Sequence, residues 1–460
     1  MRWSLLPILG LCFGLVVSCG PAADEKQKSP GNTSTTADNA EVPTAVKQPG
    51  ASKGDKKSEA SKSSDRKPDD KATLEKLQQL KGQIVRDKAG SVVNVDLSNT
   101  KVADADLALL AGLPYLDQLS LNEATGITAA GLAHLKNVPK LRVIRLMRVG
   151  NDAGVAHLVD LPNLQVLDLF LSDVTDAGLV HVGKMKKLRD LDLRRTGVKD
   201  GGIAHLKDLK DLRILKLQET NYITDACLDH LQGLTNLEQL GLWGTNYNDS
   251  SLAKLKVFTK LKVLELDDTL ISDAGFEHLS GLVKLEALHC RRCPLVKGMG
   301  LSYLAGATKM KRLMFRETNI KDAALPNLKD MKDLDTLELS DTQISDEGLT
   351  NLSGLTKLTS LSLWRLGGVT DAGLVHLKGL TRLKELNLNG TGITNAGLDV
   401  VMSFTDLEIL DLGSTPIDDE GAEKLHGLSK LKELDLSFTQ VSNDGVKQLQ
   451  AALPKCAIKR

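Results

Sequence analysis

The fold of this chain follows from one segment: Leu334-Asp-Thr-Leu337-Glu-Leu339-Ser-Asp-Thr342-Gln-Ile344-Ser-Asp-Glu-Gly-Leu349-Thr-Asn-Leu352-Ser-Gly-Leu355. Its first part alternates apolar and polar residues, which predicts a short strand with one buried and one exposed face. In its second part, apolar residues follow a Ser-Asp pair at spacings of three, which predicts a short helix with the serine as its N-cap. The segment is therefore one strand followed by one helix.

This unit returns about every 24 residues along most of the chain. Its leading residues are Val92, Leu116, Leu141, Leu164, Leu188, Leu212, Leu237, Leu261, Leu285, Met310, Leu334, Leu358, Leu383, Leu407 and Leu431. One unit cannot bury its leucine face alone, so neighbouring units must stack. We therefore predict an α/β solenoid of about 15 repeats.

Written as L-x-x-L-x-L-x-x-T-x-I-[TS]-D-A-G-L, the unit resembles the leucine-rich-repeat family. The variant with I-[TS]-D-A-G-L is similar to bacterial and F-box-associated, GALA-like repeats. The resemblance implies a horseshoe-shaped solenoid, with a parallel β-sheet on the concave face and helices on the convex face. Threonine takes the place where many family members have asparagine or cysteine.

The first twenty residues predict an exported protein. Arg2 precedes an apolar run, Leu5 to Val17, of the length of a signal-peptide core. The run ends in Leu15-Val16-Val17-Ser18-Cys19-Gly20, which resembles the lipobox of bacterial lipoproteins. That resemblance implies a signal peptide at 1–18 and a lipid on Cys19, and the absence of Asp after the cysteine favours the outer membrane. An ordinary signal peptide with an incidental cysteine and a retained transmembrane helix are the alternatives.

The rest of the chain divides into four predicted parts. Residues 19–71 form the lipidated cysteine and a tether, and residues 20–71 lack Leu, Ile, Phe, Tyr and Trp, so we expect disorder. A role of the lysines in cell-wall binding is the alternative for this tether. Residues 72–91 form an N-terminal cap with a helix and a hairpin, 92–448 the repeats, and 449–460 a C-terminal cap.

Composition argues against several function classes. The formal net charge is zero, which gives no general case for nucleic acid or an anionic membrane surface. The six cysteines are too few and too scattered for a disulfide framework. The sequence contains no nucleophile elbow, P-loop, H-E-x-x-H or dinucleotide motif. We therefore expect a protein without catalytic activity, cofactor or metal.

Three recurring residue types invite a chemical interpretation. Histidines share one register, at His134, His157, His181, His205, His230, His278 and His376. Aspartates share another, at Asp152, Asp176, Asp200, Asp225, Asp249, Asp273, Asp346 and Asp371. Helix packing and helix capping explain these columns better than metal binding does. Cys290-Arg-Arg-Cys293 fits two small buried side chains, with a redox pair as the alternative.

The strand residues that point outwards should form the binding surface. Trp243 and Trp364 both occupy the seventh position of their repeats, where burial in the core cannot account for them. The candidate ligand-binding residues on this concave face are Trp243, Trp364, Arg291, Arg292, Arg316, Phe170, Arg145, Arg194 and Arg365. Arg291 and Arg316 should be neighbours, which suggests an anionic partner unless nearby acids neutralise them. Those acids are Asp267, Asp268, Glu317 and Glu338.

These features lead to three functional hypotheses. The first is a non-catalytic scaffold, lipid-anchored in the bacterial cell envelope, which binds a protein or peptide partner on the concave face. The second is an envelope structural or adhesion protein that binds polysaccharide or peptidoglycan, for which Trp next to Asn387 and Asn389 is suitable. The third, a ubiquitin-ligase substrate adaptor like the F-box relatives, lacks an F-box-like segment ahead of the repeats and conflicts with the lipobox.

Overall fold

A computed structural model describes residues 66–244 and 247–460. The predicted signal peptide, Cys19 and residues 20–65 of the predicted tether lie outside the described residues, as does Thr245. All described residues belong to one compact unit, Ser63–Arg460. Within the described residues, no helix has both the length and the apolar character that a membrane span requires.

A single open sheet of 17 strands runs through this unit. The strands are β1 (Gln83–Arg86), β2 (Val92–Asp96), β3 (Gln118–Ser120), β4 (Val143–Arg145), β5 (Val166–Asp168), β6 (Asp190–Asp192), β7 (Ile214–Lys216), β8 (Gln239–Gly241), β9 (Val263–Glu265), β10 (Ala287–His289), β11 (Arg312–Met314), β12 (Thr336–Glu338), β13 (Ser360–Ser362), β14 (Glu385–Asn387), β15 (Ile409–Asp411), β16 (Glu433–Asp435) and β17 (Ala457–Lys459). From β2 onwards each strand pairs in parallel with the next one in the sequence. Strands β2 to β16 correspond to the predicted repeats.

Helices connect the strands. The α-helices are α1 (Lys71–Gln79), α2 (Asp104–Leu107), α3 (Ala129–Leu132), α4 (Asp152–Ala156), α5 (Asp176–Val182), α6 (Asp200–Ile203), α7 (Cys227–Leu231), α8 (Asp249–Ala253), α9 (Asp346–Leu349), α10 (Asp371–Leu374), α11 (Leu398–Val401), α12 (Asp419–Lys424) and α13 (Asn443–Ala452). The 3₁₀ helices are Ala108–Gly112, Ala133–Asn137, His157–Asp160, Ala204–Leu206, Lys254–Val257, Asp273–Leu279, Met299–Leu304, Asp322–Leu328, Thr350–Leu352, Val375–Leu377 and Leu425–Gly427. The leucine-rich-repeat solenoid that the sequence predicts is therefore confirmed.

The core is a stack of thin leucine layers between the sheet and the helices. In the repeat that begins at Leu334, the side chains of Leu334, Leu337, Leu349, Leu352 and Leu355 are all fully buried. In many repeats a buried or half-buried threonine follows the strand, and its hydroxyl donates a hydrogen bond to the carbonyl three residues earlier. This bond is formed by Thr100, Thr196, Thr269, Thr318, Thr342, Thr391, Thr415 and Thr439. A buried hydroxyl is thereby satisfied without a partner in another layer.

The two ends of the stack are closed differently. At the N-terminal end, β1 pairs antiparallel with β2, and the side chain of Asp70 accepts the N–H of Thr73 and caps α1. Asp69 accepts hydrogen bonds from Arg86 and from the backbone of Val92, which ties the segment before α1 to the hairpin. At the C-terminal end, α13 leads into β17, which adds a final parallel strand to β16.

The aspartate column links neighbouring repeats. In eight repeats the carboxylate accepts the backbone N–H and the hydroxyl of the Thr or Ser that stands before the helix of the next repeat, whereas Asp176 and Asp273 accept only backbone N–H groups there. The pairs are Asp104–Thr128, Asp152–Thr175, Asp200–Thr224, Asp249–Ser272, Asp322–Ser345, Asp346–Thr370, Asp371–Thr394 and Asp419–Ser442. Capping within one helix was therefore an incomplete explanation. The hydroxyl of Thr224 accepts the N–H of Ala226 at 3.3 Å, although α7 begins only at Cys227.

Candidate ligand-binding surface

The surface of interest is the outer face of the sheet, called the sheet face below. It comprises the first and third residues of each strand, whose side chains point away from the buried central leucine, and positions seven and eight of each repeat. For β12 these residues are Thr336, Glu338, Ser340 and Asp341. All nine candidate residues from the sequence occupy such positions.

Position eight adopts a left-handed backbone in almost every described repeat. Arg148, Arg292 and Arg365 have φ angles of 59°, 52° and 58°. Their backbone N–H groups donate to carbonyls of position seven in the following repeat, at 2.9, 2.8 and 2.7 Å. Left-handed φ is unfavourable for residues with a Cβ, so this ladder of hydrogen bonds offsets a conformational cost. It also orients the position-eight side chains along the rim of the sheet face.

Trp243 follows β8 and belongs to a compact charged cluster. The guanidinium of Arg292 lies over its ring, 5.6 Å from the centroid. The indole N–H donates to Asp268, and the same carboxylate accepts two hydrogen bonds from Arg292 at 2.7 Å. Because these bonds favour the ionised carboxylate, the pKa of Asp268 is lowered despite burial, which by itself raises it. The ring is therefore held in one orientation on the surface.

Trp364 follows β13 and has two arginines over its ring. Arg316 and Arg365 lie 5.0 and 5.2 Å from its centroid. Arg316 pairs with Glu317 at 2.9 Å, and Arg365 pairs with Asp341 at 3.1 Å. The two tryptophans are five strands apart, roughly 24 Å at the usual strand spacing. They form two separate clusters.

A third group of candidates lies nearer the N-terminal end, on β4 to β6. Arg194 lies over the ring of Phe170 at 4.7 Å and forms an ion pair with Asp192 at 2.7 Å. Arg145 stands on β4, where its charge acts on the carboxyl group of Asp190. This group lies apart from both tryptophan clusters.

The close approach of Arg291 and Arg316 is neutralised inside the sheet face. Arg291 donates to Glu338 at 2.8 Å, across two repeats, and its backbone N–H donates to Asp267 at 2.6 Å. Arg316 pairs with the neighbouring Glu317. The structure thus confirms the alternative in which nearby acids balance these arginines. The like charges of this pair give no argument for an anionic partner.

Burial perturbs several ionisable groups of the sheet face. Burial raises the pKa of Asp267 to about 7 and that of Asp190 to about 6, although arginine or lysine charges nearby oppose the change. Burial lowers the pKa of His289 to about 4; the charge of Glu265 opposes this shift, and the charges of Arg291 and Arg312 add to it. His289 is therefore neutral at neutral pH, which places an uncharged ring at the centre of the face.

A missing side chain at Gly241 creates a contact between non-adjacent repeats. The amide of Gln218 extends over this glycine and donates to Glu265 at 2.6 Å, and Gln239 donates to the same carboxylate at 2.9 Å. A Cβ at position 241 would collide with the Gln218 amide. Gly241 therefore brings Gln218 and Glu265 together beside Trp243.

One sheet-face residue was not among the candidates from the sequence. Arg312 is the first residue of β11, and its Nε is buried without a hydrogen-bond partner among the described residues. The sequence alone offers no signal for it, because arginines at many positions of the face look alike until their partners are known.

The other candidate chemistries have simple structural roles. The histidine column lies on the helical side, and no group of three or more His, Cys, Asp or Glu in the described residues is arranged to hold a metal ion. Cys290 and Cys293 are both buried free thiols, and burial raises the pKa of each. Cys293 takes the interior position that threonine has in most repeats, and its thiol donates at 3.1 Å to the carbonyl of Leu266 in the preceding repeat, which also accepts the Thr269 hydroxyl. A raised pKa disfavours the reactive thiolate form.

The repeated layers and the single parallel run of strands define a leucine-rich-repeat solenoid. The chain belongs to the leucine-rich-repeat family: a model of a leucine-rich repeat region matches residues 124–372, and a second leucine-rich repeat model matches 380–402, 405–425 and 427–449. No curated protein gives a significant match.

Two solved structures illustrate the fold. An internalin of Listeria monocytogenes is 21% identical with a TM-score of 0.51, and the match covers 84% of this chain and 94% of the internalin. A leucine-rich-repeat protein of Leptospira interrogans is 18% identical with a TM-score of 0.53, covering 76% and 92% of the two chains. At these identities the similarity shows the shared fold.

Proposed function

We propose that this chain is a non-catalytic scaffold that binds a protein partner on its sheet face. Leucine-rich-repeat proteins are typically binding scaffolds, and the observation that supports this function most directly is the set of arginine–aromatic stacks on the face. Tryptophan and arginine contribute most often to the energetic centres of protein interfaces. Here their rings and guanidiniums are held by ion pairs before any partner arrives, which reduces the ordering cost of binding.

The geometry around Trp364 favours a protein over a polysaccharide partner. A sugar ring would stack on an open face of the indole. Arg316 and Arg365 both lie within 5.2 Å of the ring centroid, so guanidiniums already occupy this stacking region. Planar guanidiniums stacked on rings are well suited to donate hydrogen bonds to the backbone carbonyls and side chains of a protein.

Capture of a partner from cell envelopes tests this function. The full chain is cross-linked in intact envelopes beside a Trp243→Ala/Trp364→Ala variant. A Tyr303→Ala/Val375→Ala variant is the matched control, since these residues are 43% and 49% exposed on the helical side. We expect wild type and control to capture one discrete protein that the tryptophan variant loses. Equal capture by all three chains would contradict binding through the sheet face.

We further propose that a lipid on Cys19 anchors the chain in the bacterial cell envelope, with the outer membrane favoured. The lipobox resemblance of residues 15–20 supports this proposal. Cells fed an alkyne-labelled fatty acid should label the wild-type chain and not a Cys19→Ser variant. Two or three acyl chains hold a protein firmly, so the wild-type chain should remain in the membrane fraction after a high-salt wash. Label on the Cys19→Ser chain would contradict the proposal.

A further inference from the structure

Arg312 differs from most arginines of the sheet face in its partners. Most of them form an ion pair with a carboxylate of the same face: Arg148, Arg194, Arg195, Arg291, Arg292, Arg316 and Arg365. Arg312 has no ion pair among the described residues, and its Nε is buried with no acceptor there. A buried donor without an acceptor is rare in folded proteins.

The acids close to Arg312 in the sequence pattern are engaged elsewhere. Its register partners on β10 and β12 are Ala287 and Thr336, which carry no charge. Glu286 pairs with Lys311 at 2.7 Å, and Glu338 pairs with Arg291 at 2.8 Å. The ionisable group on the neighbouring strand β10 is His289, which is neutral at neutral pH. No carboxylate of the described residues therefore forms an ion pair with Arg312. Arg145 on β4 also has none, but it has no buried nitrogen without a partner among these residues.

We propose that Arg312 binds a carboxylate of an aspartate or glutamate side chain on the protein partner. This inference rests on the proposed function and names the chemistry that the sheet face recognises. A guanidinium binds a carboxylate through two parallel hydrogen bonds. Because Nε of Arg312 is buried, we assign the contact with the partner's carboxylate to its two terminal Nη groups.

The surroundings of Arg312 favour a protein as the source of the carboxylate. Met314, the next outward residue of β11, is half-buried and apolar. Methionine and arginine together are enriched in protein interfaces, where a thioether adapts to varied side chains. The site thus combines one specific charge contact with an adaptable apolar contact beside it.

Selection of peptides on the full chain in detergent tests the inference. A random dodecapeptide phage library is panned on the wild-type chain, and binders that the Trp243→Ala/Trp364→Ala variant also retains are removed. We expect the remaining peptides to share an Asp or Glu at one position. Binding of a synthetic peptide to Arg312→Gln should be at least about tenfold weaker, equivalent to about 1.4 kcal/mol.

Matched variants separate a specific contact from a general loss of charge. Arg382→Gln removes an exposed arginine outside the sheet face and should leave peptide binding unchanged. Arg312→Lys keeps the charge without the two-pronged geometry and should give an intermediate affinity. Arg312→Glu should regain binding when the acid of the peptide is replaced by lysine.

The outcomes distinguish this inference from the proposed function. Peptides that require the tryptophans but show no acidic residue, or that bind Arg312→Gln as well as wild type, would overturn the inference alone. A wild-type chain that selects no peptide on its sheet face would count against both proposals. Binding of polygalacturonate that depends on Arg312, in the absence of peptide binding, would overturn the assignment of a protein partner.

Discussion

The carboxylate of Asp346 accepts two hydrogen bonds from Thr370 in the next repeat, from its hydroxyl at 2.6 Å and from its backbone N–H at 2.7 Å. Thr370 in turn accepts the N–H of Ala372 and caps α10. One aspartate therefore fixes the start of the neighbouring helix, and its repetition along the chain joins the helical side of successive layers. The parallel strands join the other side.

Removal of one carboxylate should weaken the stack locally. We expect Asp346→Ala to lower the free energy of unfolding by about 1–3 kcal/mol, because the N–H and hydroxyl of Thr370 lose their acceptors. Urea denaturation followed by circular dichroism measures this change. Asp399→Ala is the control, since this aspartate is exposed and forms one surface ion pair with Lys424. If both substitutions lower the free energy of unfolding equally, the bonds between Asp346 and Thr370 stabilise the chain no more than a surface ion pair does.

The glycine of the D-A-G motif should not tolerate a methyl group. A Cβ at Gly373 would collide with the carboxylate of Asp346 and lie 2.8 Å from its Cα atom. We expect Gly373→Ala to destabilise the chain by about 1–3 kcal/mol through overpacking, although alanine favours helices. Gly367→Ala, whose Cβ meets nothing within 4 Å, should change stability little. Thermal unfolding of the two variants measures this difference. Equal midpoints would refute overpacking at position 373.

The central groups of the sheet face should give the chain an unusual pH dependence. The pKa of Asp267 is raised to about 7, so the folded state holds its proton more tightly than the unfolded state does. Its ionisation therefore removes stability as pH rises from about 4 to about 7, and the loss is complete above that. The pKa of His289 is lowered to about 4, so this residue adds stability as pH rises from about 4 to about 6.5.

Single substitutions separate these opposing effects. Asp267→Asn can still accept the N–H of Arg291, and we expect it to be more stable than wild type by about 2–4 kcal/mol at pH 8. That advantage should disappear near pH 4. His289→Gln should lose stability relative to wild type at pH 7 and approach it at pH 4. Urea midpoints measured from pH 4 to 8 check both trends, and a pH-independent difference would disprove the assigned pKa shifts.

The strands could be predicted from the sequence because their signal is local. In Leu337-Glu-Leu339, alternation over three residues defines both the strand and its buried face, and the period of about 24 sets its neighbours. Whether a helix is an α-helix or a 3₁₀ helix was harder to predict from the sequence. Asp273–Leu279 forms a 3₁₀ helix, whereas the similar sequence Asp176–Val182 forms an α-helix. Apolar residues at spacings of three and four fit both.

The sequence predicts which residues lie on the proposed binding surface, but it does not predict which acid each arginine pairs with. Trp243 and Trp364 occupy the outward register that the repeat assigns to them. The partner of Arg291, by contrast, is Glu338, which lies 47 residues away and two repeats further along. Long side chains choose among several acids at similar distances, and a repeat pattern contains no information about that choice. Arg312 is recognised only after the other arginines have been paired.

Site-specific photo-cross-linking shows whether a protein partner contacts the sheet face. Benzoylphenylalanine is placed either at Met314 on the sheet face or at Tyr303 on the helical side, and cells are irradiated with the full chain in its native envelope. We predict a discrete protein adduct from position 314 and none from position 303. An adduct from position 303 alone, or no protein adduct from position 314, would contradict a partner-binding role of the sheet face.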